Sequence, residues 1–342
     1  MSDGALMSPE EVEEGRVAAQ AILDGLNTRL LGQEALTRMV LVGCLARGHV
    51  LLEGLPGLGK TELIKGLAGL LGMDFRRIQF TPDLLPGDIT GGQVLQDDGD
   101  GRRFVFHQGP LFGNLVLADE INRASPRTQS ALLEAMAERR VTVLGETHPL
   151  PDPFWVLATQ NPIELEGTYP LPEAQLDRFL FKLNVYRVSA GTMTAILTQR
   201  RRGHAPEPSP VADAASLRRL FQRVDAVYLP EAVAGYIGRL VEATHPEAAS
   251  SPEPVRQYVR YGASPRAAIA IAEAARAHAL IDGKANVGFD DVRAVASAAL
   301  GHRVVVDYRG RLDGVKPADV VQAVLSAVDE LPRALPREVS GG

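Results

Sequence analysis

The sequence lacks the features of an oxidised or membrane-spanning protein. Cys44 is the only cysteine among 342 residues, so no disulfide can form within the chain, which fits a reducing compartment. No apolar stretch approaches the length that spans a bilayer, and the acidic segment Met1–Gly15 contains no apolar signal core. We therefore expect a cytoplasmic protein.

The sequence also lacks a basic field and a pattern of metal ligands. The formal net charge is −6 at pH 7, and lysine occurs at only five positions. This balance gives no support for binding nucleic acid or an anionic membrane through the protein as a whole. The seven histidines are scattered, without transition-metal spacing beside cysteine or carboxylate. The 45% hydrophobic and 23% charged residues are ordinary values for a globular protein.

Short apolar segments alternate with helical patterns through the first half of the chain. The clearest strand-like segments are Val50–Leu52, Leu115–Ala118 and Trp155–Thr159, each an apolar run bounded by turn residues. Such alternation predicts an α/β fold with a parallel sheet covered by helices on both faces. Residues 1–187 are therefore predicted to form the α/β core.

Two inserts interrupt the alternation, and helical patterns follow it. Residues 94–106 and 141–150, approximately, each place turn residues between β-prone flanks, which predicts two hairpins that project from the sheet. Residues 188–332 have the apolar spacing of a helical domain. Residues 333–342 end in Ser-Gly-Gly and are predicted to be a flexible tail.

A glycine-rich segment follows the first strand-like run and opens a helical pattern. It matches G-x-x-x-x-G-K-[S/T] with the residues Gly54, Leu55, Pro56, Gly57, Leu58, Gly59, Lys60 and Thr61. Glycines let successive backbone N–H groups turn onto phosphate oxygens, and the following helix presents its positive end to the same anion. We expect these residues to bind ATP, with Lys60 on the β- and γ-phosphates and the Thr61 hydroxyl on Mg²⁺.

Two carboxylates close the apolar run Leu115–Ala118. The carboxyl ends of parallel strands lie at the edge that also carries the phosphate loop, so Asp119 and Glu120 are expected beside the nucleotide. Consecutive strand residues point in opposite directions, which gives the two acids different roles. Asp119 is predicted to hold Mg²⁺, and Glu120 to act as the general base on the attacking water. The alternative is a pair of solvated acids at a strand end.

A polar residue also follows the run Trp155–Thr159. Asn161 lies between Gln160 and Pro162, where its amide could hold the attacking water beside the γ-phosphate. Asparagine before proline is also an ordinary turn former. The residue chemistry alone leaves both interpretations open.

The motifs, taken together, resemble those of the MoxR family of AAA+ ATPases. The resemblance extends from about Leu31 to Leu331. It rests on six ordered segments: Gly54–Thr61, Pro82–Gly91, Asp119–Ala124, Ala158–Pro162, Glu173–Phe179 and Gly262–Ala267. It implies an AAA+ P-loop core followed by an all-helical lid, with ATP and Mg²⁺ bound and ATP hydrolysed.

The resemblance also implies roles for three polar residues. Asn161 is similar to the sensor that reads the γ-phosphate. Arg178 matches the arginine finger that reaches the nucleotide of a neighbouring subunit, which suits a permanently charged donor fork. Arg266 matches the second sensor of the lid, and Ser264-Pro265 predicts that it lies at a helix start. The alternatives are a surface arginine for Arg178 and pairing with a nearby acid for Arg266.

The resemblance further implies a homo-oligomeric, hexameric ring with chaperone-like activity. In the family, this work resembles cofactor insertion or complex assembly on client proteins, with partners that carry a von Willebrand A domain. The two hairpins would line the central pore. Neither sequence offers an obvious exposed aromatic residue, so threading of a client is the weaker expectation.

Two other functions stay open. The first is a nucleic-acid-stimulated motor, because helicase-like AAA+ proteins share such hairpins, although the acidic charge argues against it. The second is a nucleotide-dependent scaffold or switch with little turnover. An intact Glu120 and Arg178 argue against the second function.

Overall fold

The chain divides by compactness into two units. The computed structural model describes residues 6–55, 57–97, 102–162, 167–200 and 209–331. Of these residues, Glu13–Arg223 contains the core unit, and residues 6–12 and 224–331 belong to the C-terminal unit.

Helices and strands follow one another closely as far as Ala226. In chain order they are α1 (Pro9–Arg29), α2 (Glu34–Leu45), β1 (Val50–Glu53), α3 (Lys60–Leu70), β2 (Phe75–Gln79), α4 (Pro86–Thr90), β3 (Gly91–Asp97), β4 (Arg102–Gln108), β5 (Leu115–Asp119), α5 (Pro126–Glu138), β6 (Arg140–Val143), β7 (Glu146–Pro149), β8 (Trp155–Gln160), α6 (Glu173–Leu176), β9 (Phe181–Asn184), α7 (Ala190–Gln199) and α8 (Ala214–Ala226).

A parallel sheet of five strands lies at the centre of the core unit. Its strand order is β2-β5-β8-β1-β9. The register aligns the carboxyl ends of the strands, since Glu53 is the partner of both Gln160 and Asn184, and Gln79 is the partner of Asp119. The parallel sheet and its flanking helices confirm the predicted α/β fold. The segments that follow β1, β5 and β8 therefore begin at one edge of the sheet.

The sheet is fixed by an apolar core against α5. Val116, Ala118 and Val156 are fully buried and belong to one cluster with Leu132 and Leu133 of this helix. Burying one such leucine contributes roughly 2 kcal/mol. The helix begins after Ser125, whose hydroxyl accepts a hydrogen bond from the Thr128 amide, as a capping residue does. The segment between β5 and α5 is thus held at both of its ends.

Two antiparallel strand pairs lie where the sequence predicts hairpins. β3 pairs with β4 from Gly91 opposite Gln108 to Asp97 opposite Arg102, and β6 pairs with β7; residues 98–101 lie outside the described part. The expectation that the hairpins offer no exposed aromatic residue is wrong, because Phe104 of β4 is 68% exposed. Phe104 shares a face of the ribbon with Phe106, which packs against Phe112 and His148. Phe104 is two residues nearer than Phe106 to the Asp97–Arg102 end of the ribbon, and its ring is exposed there.

The core unit extends beyond the predicted limit at residue 187. Val211 and Ala212 donate backbone hydrogen bonds to the Leu70 carbonyl, and the Phe221 ring of α8 packs edge-on against Trp155 at 5.9 Å. These contacts explain why the compact division falls after Arg223. The division into a family core of residues 1–187 and a helical lid of residues 188–332 stays a prediction. The predicted tail, 333–342, lies outside the described residues.

The C-terminal unit is mainly helical, as predicted. Its further elements are α9 (Glu231–Glu242), α10 (Glu253–Tyr258), β10 (Val259–Tyr261), α11 (Pro265–Ile281), α12 (Phe289–Leu300), β11 (Val305–Val306), α13 (Tyr308–Leu312) and α14 (Pro317–Ala327). The alanine-rich face of α11 is buried, including Ala267, Ala274 and Ala277, and small side chains permit close helix packing. The short antiparallel pair of β10 and β11 was not predicted from the sequence.

A buried ionic cluster joins α11 to the start of α12. The Asp291 carboxylate is fully buried and accepts hydrogen bonds from Lys284 Nζ and Gly288 N, both at 2.8 Å. Its Oδ1 also lies 2.8 Å from His278 Nδ1. Burial raises the pKa of the Asp291 carboxyl, but the hydrogen bonds from His278 and Lys284 outweigh burial and leave the pKa below its usual value.

Crossing a bilayer requires a helix of about 20 mostly apolar residues. Within the described ranges, every helix is too short or too polar to cross a membrane.

Candidate active site

The glycine-rich segment forms a tight loop between β1 and α3. Gly57 and Gly59 adopt left-handed backbone angles, with φ of +79° and +83°, which other residues adopt only with strain. A Cβ atom on Gly59 would also lie 2.7 Å from Leu30 Cδ1, and one on Gly54 would lie 2.8 Å from the Val185 carbonyl oxygen. The three motif glycines are therefore required by this geometry.

The predicted nucleotide-binding residues line two neighbouring cavities of the core unit. One cavity, of about 360 Å³, is lined by Gly57, Gly59, Lys60, Thr61, Glu62, Asp119, Glu120 and Asn161. Gly54, Leu55 and Leu58 line another, of about 280 Å³, together with residues that follow β9. Pro56 lies outside the described residues. The first cavity, called the catalytic cavity below, gathers most of the predicted chemistry.

Lys60 begins α3 and carries the positive charge of the catalytic cavity. Its ammonium group donates a hydrogen bond of 2.6 Å to the Gly54 carbonyl, so the side chain folds back over its own loop. Burial lowers the pKa of Lys60, while the nearby carboxylates of Asp119, Glu120 and Glu53 act in the opposite direction. A phosphate at this position would supply the counter-charge that favours the ammonium form.

Asp119 ends β5 with its side chain only 13% exposed. Its Oδ1 accepts a hydrogen bond of 2.6 Å from the Thr159 hydroxyl. Its Oδ2 accepts one of 2.7 Å from Arg77 Nη2. Both carboxylate oxygens are thus held, which fixes the direction in which Asp119 faces the cavity.

Glu120 turns the chain sharply out of β5. Its backbone is left-handed, with φ +57° and ψ +49°, which is uncommon for a residue other than glycine and typical of functional sites. The Glu120 amide donates to the Thr159 hydroxyl at 2.8 Å. The prediction that Asp119 and Glu120 point in opposite directions assumed that the strand continues. Because β5 ends at Asp119, both side chains instead line the catalytic cavity.

The Glu120 carboxylate has two further partners that the sequence analysis missed. Its Oε2 accepts hydrogen bonds of 2.9 Å from Gln79 Nε2 and from Arg123 Nη1. Arg123 lies three residues after Glu120, a spacing visible in the sequence. Gln79 comes from a different strand, so only the alignment of β2 with β5 brings it to this place.

The oxygen donors near Thr61 fit a magnesium ion. Mg²⁺ prefers hydroxyl, carboxylate and water oxygens and commonly retains several waters. Thr61 and Asp119 supply a hydroxyl and a carboxylate to the same cavity. The space beside the glycine loop is open at Gly57, where a Cβ would meet no atom of the described residues within 4 Å, its chain neighbours excepted. Backbone N–H groups of such a loop are suited to an anion. A nucleoside triphosphate with its metal ion therefore suits the hydroxyl, carboxylate and backbone groups at this cavity.

Asn161 and Arg178 occupy different places in the core unit. Asn161 is 5% exposed and lines the catalytic cavity beside Glu120. Arg178 follows α6, donates to the Leu133 carbonyl at 3.0 Å, and lines a separate cavity of about 520 Å³. Arg178 thus lines a different cavity from the one that Asp119 and Glu120 of the same chain line.

Arg266 belongs to the C-terminal unit and is the second residue of α11. Ser264 precedes the helix in an extended conformation, and Pro265 occupies the first turn. The prediction that Arg266 lies at a helix start is correct. Its role as a sensor stays a prediction.

Two family models match the chain. Residues 49–181 match the model of the ATPase family associated with various cellular activities (AAA), and residues 253–324 match the model of the AAA lid domain. The first match contains the glycine loop, both acids, Asn161 and Arg178. The second contains Arg266.

Two curated relatives and one solved structure align over most of the chain. Chaperone MoxR1 of Mycobacterium tuberculosis is 43% identical over 87% of this chain and 78% of its own length. Protein MoxR of Paracoccus denitrificans is 32% identical over 88% of this chain and 92% of its own. The crystal structure of a candidate ATPase from Cytophaga hutchinsonii superposes with a TM-score of 0.86 at 36% identity, covering 94% of this chain and 97% of that one.

Proposed function

Because the chain belongs to the MoxR family of AAA+ ATPases, we propose that it hydrolyses ATP to remodel client proteins. The observation that carries the proposal is the meeting of Lys60, Thr61, Asp119, Glu120 and Asn161 at one cavity of the core unit. Lys60 and Thr61 begin α3, Asp119 and Glu120 lie at the end of β5, and Asn161 follows β8. A chance surface cleft would not collect a cation, a hydroxyl, two acids and an amide at a glycine loop.

The glycine loop and Lys60 would bind the phosphates of ATP. The loop supplies backbone N–H donors and the start of α3 supplies the positive end of a helix. Lys60 would exchange its hydrogen bond to the Gly54 carbonyl for phosphate oxygens. Thr61 and Asp119 would hold Mg²⁺, which bridges the β- and γ-phosphates and neutralises charge that develops during transfer.

Glu120 would act as the general base. Its left-handed backbone turns the carboxylate into the catalytic cavity instead of away from it. Asn161, buried at the end of the neighbouring strand β8, would hold the attacking water between its amide and that carboxylate. These positions support different roles for the two acids. Asp119 would hold the metal ion, and Glu120 would accept a proton from the attacking water.

Two arginines have further proposed roles: Arg178 would act on the nucleotide of a neighbouring subunit, and Arg266 would act as the sensor of the lid. Arg178 lies at a cavity away from its own Glu120, which suits a finger offered to a neighbouring subunit. We therefore propose a homo-oligomeric ring, with six subunits as in AAA+ proteins generally, and Arg266 as the sensor in the lid. A guanidinium suits both roles because it stays charged and offers a fork of donors.

The proposed work of the ring is the maturation or assembly of client complexes. The relative from Mycobacterium tuberculosis is named a chaperone, and the resemblance adds partners with a von Willebrand A domain. The exposed Phe104 ring on the β3–β4 hairpin offers an apolar contact for such a client.

The test is a multiple-turnover phosphate-release assay at concentrations where the chain assembles. Wild type should turn over ATP, and Glu120→Gln should lower the rate about 10²- to 10⁴-fold while ATP still binds, because a general base contributes on that scale. Glu62→Gln is the control, since Glu62 lines the same cavity but has no proposed catalytic role. A wild-type rate of phosphate release by Glu120→Gln would contradict the assignment of Glu120 as the general base.

The same variant can identify the client. Glu120→Gln held with ATP should retain a partner protein that wild type releases, since the proposed cycle stops before hydrolysis. Equal recovery of every protein by the two forms would argue against ATP-driven remodelling.

A further inference from the structure

Gln129 is a buried polar residue that joins two segments of the core unit. It lies near the start of α5 and is 1% exposed. Its side-chain amide nitrogen donates hydrogen bonds to the Ile121 carbonyl at 3.1 Å and to the Tyr169 carbonyl at 2.8 Å. A glutamine amide carries two N–H donors, so these two bonds use both of them. One side chain thus holds two segments that are distant in the sequence.

The first of these segments follows the proposed general base. The short helical turn Ile121–Arg123 begins directly after Glu120, whose backbone is left-handed. A strained conformation of this kind persists only where the surrounding contacts hold it. The Glu120 amide donates to the Thr159 hydroxyl at 2.8 Å, and Gln129 holds the carbonyl of the next residue. The conformation at Glu120 is therefore fixed by contacts at two successive residues.

The second segment follows the proposed sensor residue. The Tyr169 amide donates to the Asn122 carbonyl at 2.7 Å. The side chain of Asn122, which is 3% exposed, donates from Nδ2 to the Asn161 carbonyl at 3.4 Å. Asn161 and Tyr169 are thus both bonded to the turn that follows Glu120.

We propose that Gln129 and Asn122 are positioning residues that hold the segment after β8 against the turn after β5, and so fix Glu120 relative to Asn161. The inference rests on the function proposed above. Neither Gln129 nor Asn122 is among the residues that line the catalytic cavity, so both act through the groups that do line it.

The proposed chemistry depends on this spacing. The attacking water would lie between the Glu120 carboxylate and the Asn161 amide, so its position follows from the distance between those two groups. A misplacement of about 1 Å at a reacting centre costs about 10²-fold in rate. Binding of the phosphates would depend on the glycine loop and Lys60, which Gln129 does not contact through its side-chain amide nitrogen. Loss of the positioning bonds should therefore lower kcat and leave KM for ATP nearly unchanged.

Gln129→Met tests the positioning role, since methionine keeps the length of the side chain and removes both donors. In the phosphate-release assay, kcat should fall about tenfold to a hundredfold. KM for ATP should stay within about twofold of wild type, as expected when an interaction matters in the transition state alone. The assay temperature is set from thermal melting curves, so that every variant is folded.

Thr128→Val is the matched control for a purely structural role. Thr128 precedes Gln129 in α5, is fully buried, and donates from its hydroxyl to the Leu84 carbonyl at 2.6 Å. Valine has nearly the same shape, so the control loses a buried hydrogen bond to a main-chain carbonyl elsewhere. It should melt at a lower temperature than wild type and keep the wild-type kcat.

Asn122→Leu is a second variant with less risk to folding. The Asn122 Oδ1 atom is buried and has no hydrogen-bond partner among the described residues. Leucine removes this unpaired oxygen together with the 3.4 Å bond to the Asn161 carbonyl. We expect kcat to fall about threefold, in line with one weak neutral hydrogen bond, and the melting temperature to stay close to that of wild type.

A double variant shows whether Gln129 acts through the base. Adding Gln129→Met to Glu120→Gln should change the residual single-turnover rate by no more than about twofold, because residues that act as a unit are not additive. A further loss of about tenfold or more in that background would mean that Gln129 does not act by positioning Glu120.

Hydrogen exchange tests the same contacts without nucleotide. The Tyr169 amide is bonded to the turn, and Gln129 holds the carbonyl of the same residue. In the nucleotide-free full chain, Gln129→Met should speed exchange of the Tyr169 amide about fivefold, since local opening then breaks one hydrogen bond fewer. Thr128→Val should leave this exchange rate as in wild type.

Three results would overturn the inference. They are a kcat of Gln129→Met equal to that of Thr128→Val, an unchanged exchange rate at Tyr169, and fully additive losses in the double variant. If wild type releases no phosphate from ATP, the proposed function fails and the positioning role fails with it. Wild-type hydrolysis together with any of the three results contradicts the positioning role alone.

Discussion

Asp119 of the core unit and Asp291 of the C-terminal unit both have basic groups at hydrogen-bond distance. Asp291 is fully buried, and its partners Lys284 and Gly288 lie on the turn that leads into α12. Asp119 is 13% exposed and lines an open cavity. The Asp291 carboxylate is enclosed by its partners, while the Asp119 carboxylate keeps one side towards solvent.

The difference shows what distinguishes a site from a structural ion cluster. His278, Asp282 and Asp291 lie close enough together to hold a metal ion, yet the Lys284 ammonium already occupies Asp291 Oδ1. That cluster caps the start of α12 and joins this helix to α11. At Asp119 the charges lie beside a residue with left-handed backbone angles and beside a glycine loop. Backbone strain and an open cavity therefore distinguish the functional site from a structural ion cluster, whereas charge is common to both.

The largest loss of activity that should separate the functional site from the structural ion cluster is expected on substitution of Arg178. If it acts on a neighbouring subunit, Arg178→Ala should lower turnover about 10³-fold, the lower range for an arginine finger. Mixing it with Lys60→Ala subunits should restore part of the turnover, because some interfaces then pair an intact finger with an intact loop. Arg140→Ala is the control, since Arg140 lines the same cavity. No recovery at any mixing ratio would contradict a shared site.

Lys60 should control nucleotide affinity. Replacing it with alanine removes charge-assisted hydrogen bonds to phosphate, which should weaken ATP binding about tenfold to a hundredfold. Lys65→Ala, one turn further along α3 and exposed, should bind as wild type does. Equal affinities of the two variants, measured by calorimetry, would mean that charge at the loop is not used for binding.

Acid should weaken the core unit before it weakens the ionic cluster at Asp291. His49 is buried. Its Nδ1 accepts a hydrogen bond from the Val156 amide at 3.0 Å, and its Nε2 lies 3.1 Å from the Met136 carbonyl oxygen. Burial lowers the pKa of His49 to about 4, against about 6.5 when unfolded. The neutral form is the folded one, so its contribution is complete above pH 6.5 and is lost as pH falls towards 4.

The loss at His49 should reach on the order of 3 kcal/mol of unfolding free energy. Urea unfolding followed by the fluorescence of Trp155, the single tryptophan, reports on the core unit between pH 7.5 and 4.5. His49→Gln should be less stable at pH 7.5 but should lose less on acidification. Parallel pH profiles for the two proteins would contradict the assignment.

Asp291 should give the smallest effect and no change in function. Asp291→Asn removes the nearer of two carboxylates that pair with Lys284, at 2.8 Å against 3.9 Å for Asp282. The cost should be about 2 kcal/mol, visible as a lower melting temperature. Because the pKa of Asp291 is depressed, its contribution is present above the unfolded pKa near 3.8 and is lost only below it. ATP affinity at 20 °C should stay within about twofold of wild type; a larger loss would place Asp291 in the working site.

The loop and the acids could be predicted from the sequence, because their chemistry requires fixed spacing within one short segment. Gly54–Thr61 follows a strand and begins a helix as expected, and Asp119 ends the strand that the apolar run predicts. The sheet was predictable for the same reason, since buried parallel strands are continuous apolar runs.

The rest depends on contacts between distant segments. β2 begins at Phe75, but only Ile78 within it is buried, so an edge strand with two arginines gives no clear period. Arg77 lies 42 residues from Asp119, and Gln79 lies 41 residues from Glu120. No pattern within a short segment therefore predicted that these side chains contact the acids. The turn at Glu120 was missed because alternation along a strand predicts nothing about the residue after its end.

The most direct test of the account is isothermal titration of the purified wild-type chain with ATP and magnesium. The geometry of the glycine loop, Lys60 and Asp119 predicts saturable binding that weakens when magnesium is chelated. A flat titration, with neither ATP nor ADP bound at millimolar concentration, would contradict the assignment of this cavity as a nucleotide site.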